Sequence, residues 1–260
     1  MNTNISVLEA ENLSIGYHGK TNAIIAGGLN LSLNKGILYT LIGANGIGKS
    51  TLLRTLCGLQ SSLQGSVLLA GRDITGYTAN MLAQSLALVL TDTLPQGNLS
   101  VYELVSLGRQ PYTNWMGALS SSDRAKVDNA LQLTDTFNLA HKKIHELSDG
   151  QLQNVLIARA LAQDTNVIVL DEPTTHLDLP HKVALLKLLR KLAEEEGKCI
   201  LYSTHDLDLA LQLSNEIIIM KKGSLVQGTL QELQEKDALN NIFDTPGIVF
   251  DKQSGRFIFK

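Results

Sequence analysis

Cysteine is scarce in this chain. Its 260 residues include only Cys57 and Cys199, too few for a disulfide framework and without the paired spacing of a metal site. Both lie in apolar company, in LLRTLCGL and KCILYS, which predicts buried, reduced thiols. Long hydrophobic runs are missing too. A membrane-spanning helix needs ~18 or more consecutive apolar residues; the charge-free stretch over 74–91 comes nearest, and Thr, Asn, Gln and Ser interrupt it throughout. The opening MNTNISVLEAEN has neither a basic segment nor an apolar core, so it does not read as a secretory signal. Charge of neither sign dominates: 22 Lys and Arg face 25 Asp and Glu, a net of −3. That balance argues against nucleic acid as a partner. With 44% hydrophobic and 18% charged residues, the chain is ordinary globular material, long enough for one large domain or a core with an insertion.

What is present is an alternation of strand and helix periods. Leu29-Asn30-Leu31-Ser32-Leu33-Asn34 alternates strictly, the period of a half-buried strand, and Leu13-Ser14-Ile15 marks another. A short apolar run over 37–42 enters a glycine-rich segment, after which Leu52, Leu53 and Leu56 take helical spacing over 49–57. The middle, about 93–163, reads as mainly helical. Ser120-Ser121-Ser122-Asp123 is a capping cluster before a helix over 125–137, and Ser148 caps a second that runs to about 163. A buried strand over 166–170 follows, then a helix carrying Val183, Leu185, Leu188, Leu189 and Leu192, then the strand Cys199–Ser203. The leucine-rich helix is too short for sustained heptads and reads as core. Buried strands alternating with helices predict a mostly parallel α/β sheet. A terminal hairpin is expected from 248–250 and Arg256–Phe259 around Ser254-Gly255.

Two segments carry chemistry. Gly43-Ala44-Asn45-Gly46-Ile47-Gly48-Lys49-Ser50 fits the phosphate-loop pattern between a predicted strand and a predicted helix. Glycines let backbone N–H groups approach phosphate oxygens, and Lys49 supplies a point charge for the outer phosphates. Ser50 offers a hydroxyl to Mg²⁺. Val167-Ile168-Val169-Leu170-Asp171-Glu172 is a buried strand ending in two carboxylates, which need a partner or a cation. Alone, such a pair also reads as a helix or loop cap. Beside a phosphate loop, Asp171 is expected to orient Mg²⁺ and Glu172 to activate the attacking water.

Leu147-Ser148-Asp149-Gly150-Gln151 precedes a helix and resembles the LSGGQ signature of ATP-binding-cassette ATPases, with Asp149 in place of its first glycine. Further motifs follow in family order. Tyr17 stands where the family places an aromatic that stacks on adenine; Thr175-His176-Leu177-Asp178 resembles its dimer-contacting D-loop; Ser203-Thr204-His205-Asp206 resembles its histidine switch. The resemblance extends over nearly the whole chain. It implies a phosphate-loop nucleoside-triphosphatase fold: a mostly parallel core sheet, an N-terminal antiparallel β-subdomain and an inserted α-helical subdomain. Residues 1–260 would form a single ATPase domain, with about 93–163 as the helical insertion and about 229–260 as a short C-terminal extension.

The resemblance also implies site roles. ATP would be bound by Tyr17, Gly43, Ala44, Asn45, Gly46, Ile47, Gly48, Lys49, Ser50 and Thr51, with Mg²⁺ at Ser50, Asp171 and Asp92. Glu172 and His205 would be catalytic, His205 by sensing the γ-phosphate. Ser148, Gly150 and Gln151 would complete the partner subunit's site in a homodimer, with Asp178 at the contact, although Asp178 also reads as a helix cap. Asp92 is a departure: the family places a Gln after the strand over 86–91, whereas here Asp92 follows and Gln96 is the nearest Gln. Either Asp92 takes that role or the loop is shifted in register.

Several classes fall away. There is no Asn-Lys-x-Asp motif of guanine-nucleotide switches, no length for chromosome-maintenance coiled coils, one cassette rather than two, and no fused membrane helices. The expectation is the ATPase subunit of an importer, cytoplasmic and peripheral on the inner face of the membrane. It would contact permease subunits directly and a periplasmic substrate-binding protein indirectly. Residues 99–112, LSVYELVSLGRQPY, resemble a segment common in cassettes for iron–siderophore, haem and cobalamin uptake. The groove beside it receives a permease helix in that family, which would make Arg109 and Tyr112 contact residues; the rival reading packs Tyr112 and Trp115 on the helical subdomain. The alternatives are a cassette for another small substrate and a soluble ATP-gated clamp without a permease.

Overall fold

The structure is a computed structural model that describes residues 6–19, 22–90, 97–240, 242, 248–252 and 255–259. The first third is β-rich: β1 Ser6–Tyr17, β2 Ala23–Asn34, β3 Leu38–Ile42, then helix α1 Lys49–Leu56, β4 Gln64–Leu69 and β5 Arg72–Asp73. The middle holds α2 Ala79–Ser85, β6 Leu86–Val89, α3 Val101–Ser106, α4 Ser121–Leu133 and α5 Asp149–Ala162. The last third continues with β7 Val167–Leu170, α6 Leu179–Glu196, β8 Cys199–Ser203, α7 Leu207–Leu213, β9 Glu216–Lys221, β10 Ser224–Gly228, α8 Leu230–Glu235, β11 Ile248–Asp251 and β12 Arg256–Phe259.

Two sheets organise these elements. The core sheet has the order β10-β9-β3-β8-β7-β6, parallel except for the β9–β10 hairpin at its edge. Its central strands β3, β7 and β8 are buried at every residue, as expected for strands covered on both faces. The second sheet, β2-β1-β4-β5, is antiparallel. It shows the one-sided burial of Leu29, Leu31 and Leu33 that the alternation predicts. Helix α1 lies in the apolar layer between them, with Leu52, Leu53 and Leu56 packed among Leu8, Leu13, Ile15, Val169 and Leu201. On the far side of the core sheet α5 and α6 contribute Ile157, Leu185, Leu186 and Leu189. A third cluster joins α3, α4 and α5 through Val101, Leu104, Val127, Leu131 and Val155.

Cys57 and Cys199 are free and buried, and burial pushes both thiols above their ordinary range. No helix among the described residues is long and apolar enough to cross a membrane. Several local expectations move. Helix α4 starts at Ser121 because Ser120 is its cap, in a reciprocal pair with Asp123, and it stops at Leu133 rather than 137. Thr134 closes it, Asp135 turns left-handed at φ +55°, and Phe137 enters a separate 3-10 turn. Strand β6 ends at Val89.

Arg109 corrects a functional expectation. It is not available to a partner: only 4% of it is exposed. Its Nε donates to Asp123 Oδ1 at 2.9 Å, its Nη1 donates to Ala162 O at 2.8 Å, and its guanidinium stacks 4.0 Å from the Tyr112 ring centre. Arg109 therefore clamps the start of α4 to the end of α5. Trp115, by contrast, is 92% exposed, so the reading that packs it on the helices also fails, while Tyr112 does pack, against Arg109.

The hydroxyl of Ser120, opposed by burial and supported by Arg109, holds the Asp123 carboxyl below the usual carboxylate range. Such a group adds stability above the unfolded value near ~3.9, and the contribution is lost as pH falls through the lower folded value. Asp123→Ala strands a buried guanidinium and should cost about 3 kcal/mol or more at pH 7. Thermal melts should show Tm lower by ~6 °C or more, with the gap to wild type narrowing below about pH 4.

Candidate functional site

Parallel pairing of β3, β8 and β7 puts their carboxyl ends on one rim of the core sheet. Ligand sites in such sheets form there. From β3 the chain enters the loop 43–48; from β7 it enters Asp171 and Glu172; from β8 it enters Thr204 and His205. A backbone bond ties the β8 exit to β3, Thr204 N donating to Leu41 O at 3.3 Å, and another ties the β7 exit to β6, Asp171 N donating to Val89 O at 2.8 Å.

The loop is shaped by close approach. A Cβ at Gly43 would lie 2.5 Å from Met220 O, and one at Gly48 would lie 2.5 Å from Ile25 Cγ2. Gly48 also has φ +110° as the cap of α1, a conformation side chains resist. Asn45 and Gly46 are exposed, Ala44 and Ile47 half-buried, and Thr51 is buried in the first turn of α1. Lys49 is buried, and its Nζ donates to Gly43 O at 2.9 Å and Ala44 O at 3.3 Å. Burial lowers the Lys49 pKa, and the negative charges of Glu172 and Asp171 oppose that shift. The structure thus holds a partly desolvated cation which, among the described residues, is bonded to carbonyls of its own loop and lies under the influence of two carboxylates. Tyr17, at the tip of β1, is 58% exposed. It lies two residues beyond Ile15, whose side chain reaches the Gly48 position.

Asp171 is buried, and its Oδ1 accepts a 2.6 Å hydrogen bond from Ser203 Oγ. The same Ser203 oxygen accepts from Glu172 N at 2.9 Å. Glu172 sits at φ +48°, a costly region for a non-glycine residue and one that marks functional turns. Its Oε1 bonds to His205 Nε2, and its Oε2 accepts from Thr175 Oγ1 at 3.2 Å. In the sequence Ser203 reads as the last residue of the strand Cys199–Ser203 and the first of the switch-like motif 203–206, with no role at the two carboxylates.

For a divalent cation the donors are the hydroxyl of Ser50, the exposed residue in the first turn of α1, and the Asp171 carboxylate. Among the described residues no group of three or more His, Cys, Asp or Glu side chains forms a cage. Two hard oxygen donors fit Mg²⁺ carried in with phosphates, since that ion keeps waters and takes one or two carboxylates. Asp92 and Gln96 lie outside the described residues.

The segment 147–151 stands apart from this cluster. Ser148 caps α5: its Oγ accepts from Gln151 N at 3.3 Å, and Gln151 Oε1 accepts from Ser148 N at 3.2 Å. Asp149 is an exposed acid in the first helical turn, where it complements the helix dipole. No hydrogen bond joins Ser148, Gly150 or Gln151 to the loop 43–48. Instead a Cβ at Gly150 would lie 3.3 Å from Leu177 Cδ2 and 3.5 Å from His176 O. Asp178 caps α6, its carboxylate accepting from His181 N at 3.1 Å and pairing with His181 Nδ1, which holds it below the usual carboxylate range.

The model of the ABC transporter family matches residues 26–175. The chain is 40% identical over 252 residues to the iron(3+)-hydroxamate import ATP-binding protein FhuC of Bacillus subtilis (strain 168), covering 96% of this chain and 92% of that protein. It is also 40% identical over 243 residues to the achromobactin transport ATP-binding protein CbrD of Dickeya dadantii (strain 3937), covering 92% and 88%. A solved structure assigned to a metal-chelate type ABC transporter, in an inward-facing conformation, superposes with TM-score 0.80 at 29% identity, covering 98% of this chain and 97% of that one.

Ser203→Ala leaves the Glu172 N–H and one Asp171 oxygen without their shared partner in a dry site. ATP turnover should fall roughly tenfold, the loss of ~1–2 kcal/mol of positioning. Steady-state ATPase assays check this; unchanged kcat would show that the bridge is only structural.

Proposed function

Because the chain belongs to the ABC transporter family, we propose that it is the ATP-hydrolysing subunit of an importer for iron–siderophore complexes, working as a homodimer against a membrane permease. The observation that carries the ATPase reading is the rim, where buried Lys49 and Asp171, half-buried Glu172 and exposed His205 meet beside a glycine loop whose Asn45 and Gly46 are exposed. Residues 1–260 act as one ATPase domain, with about 93–163 as its helical insertion and about 229–260 as its extension.

Adenine stacks on Tyr17 and the phosphates settle on the N–H groups of 43–51, where backbone donors and the α1 dipole favour negative charge. Lys49 turns from the Gly43 and Ala44 carbonyls to the outer phosphates. Ser50, Asp171 and Asp92 would hold Mg²⁺, whose charge would neutralise the phosphate oxygens. Ser203 fixes Asp171 and the backbone of Glu172, so the two carboxylates keep separate tasks. Glu172 takes the proton of the attacking water, and His205, released from Glu172, contacts the γ-phosphate.

The second half of each site comes from the partner subunit. Exposed Ser148 and half-buried Gly150 and Gln151 form a helix start that, among the described residues, has no hydrogen bond to its own loop 43–48, and it lies beside His176 and Leu177, which lead into exposed Asp178 and Leu179. Facing another copy's loop, the Ser148 hydroxyl and the α5 N-terminus would meet its γ-phosphate. The exposed Asp149 carboxylate turns to solvent.

A permease helix docks in the cavity of about 970 Å³ lined by Cys57, Leu59, Ile74, Leu82, Leu88 and Leu156. Its mostly apolar wall and the 62% exposed Leu59 support this assignment, which places the chain peripherally on the cytoplasmic face, with a periplasmic binding protein reached only through the permease. Among iron complexes, haem and cobalamin, the siderophore class is favoured because one relative is named for siderophore transport and another for iron(3+)-hydroxamate import.

Glu172→Gln keeps size but removes the proton acceptor, and should slow hydrolysis by roughly 10²–10⁴-fold while ATP still binds. In cells that depend on this chain, radioactive iron uptake from a ferric siderophore should need wild-type protein and stop with Glu172→Gln. Near-wild-type turnover of the variant refutes the catalytic role. Iron uptake independent of the chain refutes the cargo class.

A further inference from the structure

Lys182 stands where a cation is unfavourable. It is in the first turn of α6, at the positive end of the helix dipole. Its Nζ donates to Asp206 Oδ2 at 3.2 Å, and Asp206 caps a second helix, its Oδ1 accepting from Leu209 N in α7 at 3.4 Å. A positive side chain is therefore held near the N-terminal ends of two helices, with only 24% of Lys182 and 29% of Asp206 exposed. Apolar packing does not require it there. Helix α6 buries Leu185, Leu186, Leu189, Leu192 and Ala193 further along its length.

The two helices carry two loops of the proposed site. Asp178 caps α6, and its carbonyl accepts from Lys182 N at 2.9 Å. Asp206 follows His205, the partner of Glu172. On the other side of His205, Thr204 N is bonded to Leu41 O at 3.3 Å, and Thr204 Oγ1 accepts from Asp206 N at 3.0 Å. His205 thus lies between two anchored neighbours: Thr204 fastened to the strand that feeds the phosphate loop, and Asp206 fastened by Lys182 to the helix that Asp178 begins.

We infer that Lys182 is a positioning residue whose ion pair with Asp206 couples the His205 loop to the Asp178 loop, so that phosphate contact at one and subunit contact at the other change together. The inference rests on the roles proposed above for His205 and Asp178. Holding these loops in register matters for the reacting geometry rather than for nucleotide affinity, so its loss falls on kcat.

The test is steady-state ATPase of the full chain at varied MgATP, with melting curves taken in parallel. Lys182→Met keeps the stem and removes the charge; kcat should drop roughly 3- to 10-fold with KM for ATP unchanged. Asp206→Asn keeps a capping oxygen and should reproduce the effect. The double variant should be no slower than the slower single one, because the two changes remove one interaction. Lys182→Arg should restore kcat to within about twofold. Lys182→Gln repeats the measurement should the Met variant fail to fold. His205→Ala reads the underlying assignment and should be inactive. If it is inactive while Lys182→Met turns over like wild type, or while the two changes add fully, the inference alone is overturned. If His205→Ala turns over normally, the role of His205 and the inference fall together.

Discussion

Three parallel strands lying side by side are the constraint from which the rest follows. Because β3, β8 and β7 run in one direction as neighbours, the glycine loop, His205 and the Asp171–Glu172 pair leave the sheet at the same rim. None of these groups is close to the others in sequence. Only strand pairing gathers them, and that pairing is maintained by apolar layers on both faces of the sheet. The antiparallel sheet serves the same end: Ile25 and Ile15 fill the space beside Gly48, where a Cβ would lie 2.5 and 3.7 Å from their side chains.

Electrostatics then sets what the rim can do. A buried ammonium beside two carboxylates is costly unless each charge has a partner. Here Lys49 is satisfied by two carbonyls, Asp171 by Ser203, and Glu172 by His205 and Thr175. Each of these bonds can be exchanged for one to nucleotide, metal or water. The helix starts outside the rim are satisfied differently: Ser148 and Asp178 cap their own helices, so their surfaces are pre-formed for an incoming partner.

Local signals made much of this legible in the sequence. The phosphate loop, strand β7 and the capping serines are each encoded within a few residues, and the strict alternation of 29–34 identifies a sheet with one buried face. Features that depend on distant partners were not legible. Arg109 reads as a surface arginine in LGRQPY, because nothing in that stretch reveals that Asp123 and the carbonyl of Ala162 close around it. Ser203 closes a strand like many other serines until its two neighbours on β7 are seen. The β9–β10 hairpin, β4 and β5, and helices α2, α7 and α8 went unread. Helix α2 is seven residues long and buries none of them, so it lacks the extended apolar periodicity that marks longer helices.

The central claim is that Lys49 is a phosphate-binding cation held in readiness by Gly43 and Ala44. Equilibrium titration of MgATP into the full chain and into Lys49→Met tests it most directly, since methionine keeps the stem and its packing but not the charge. The account predicts an ATP Kd raised at least roughly tenfold, the loss of one charge-assisted contact, with an unchanged circular dichroism spectrum. An unaltered Kd in a folded variant would contradict it.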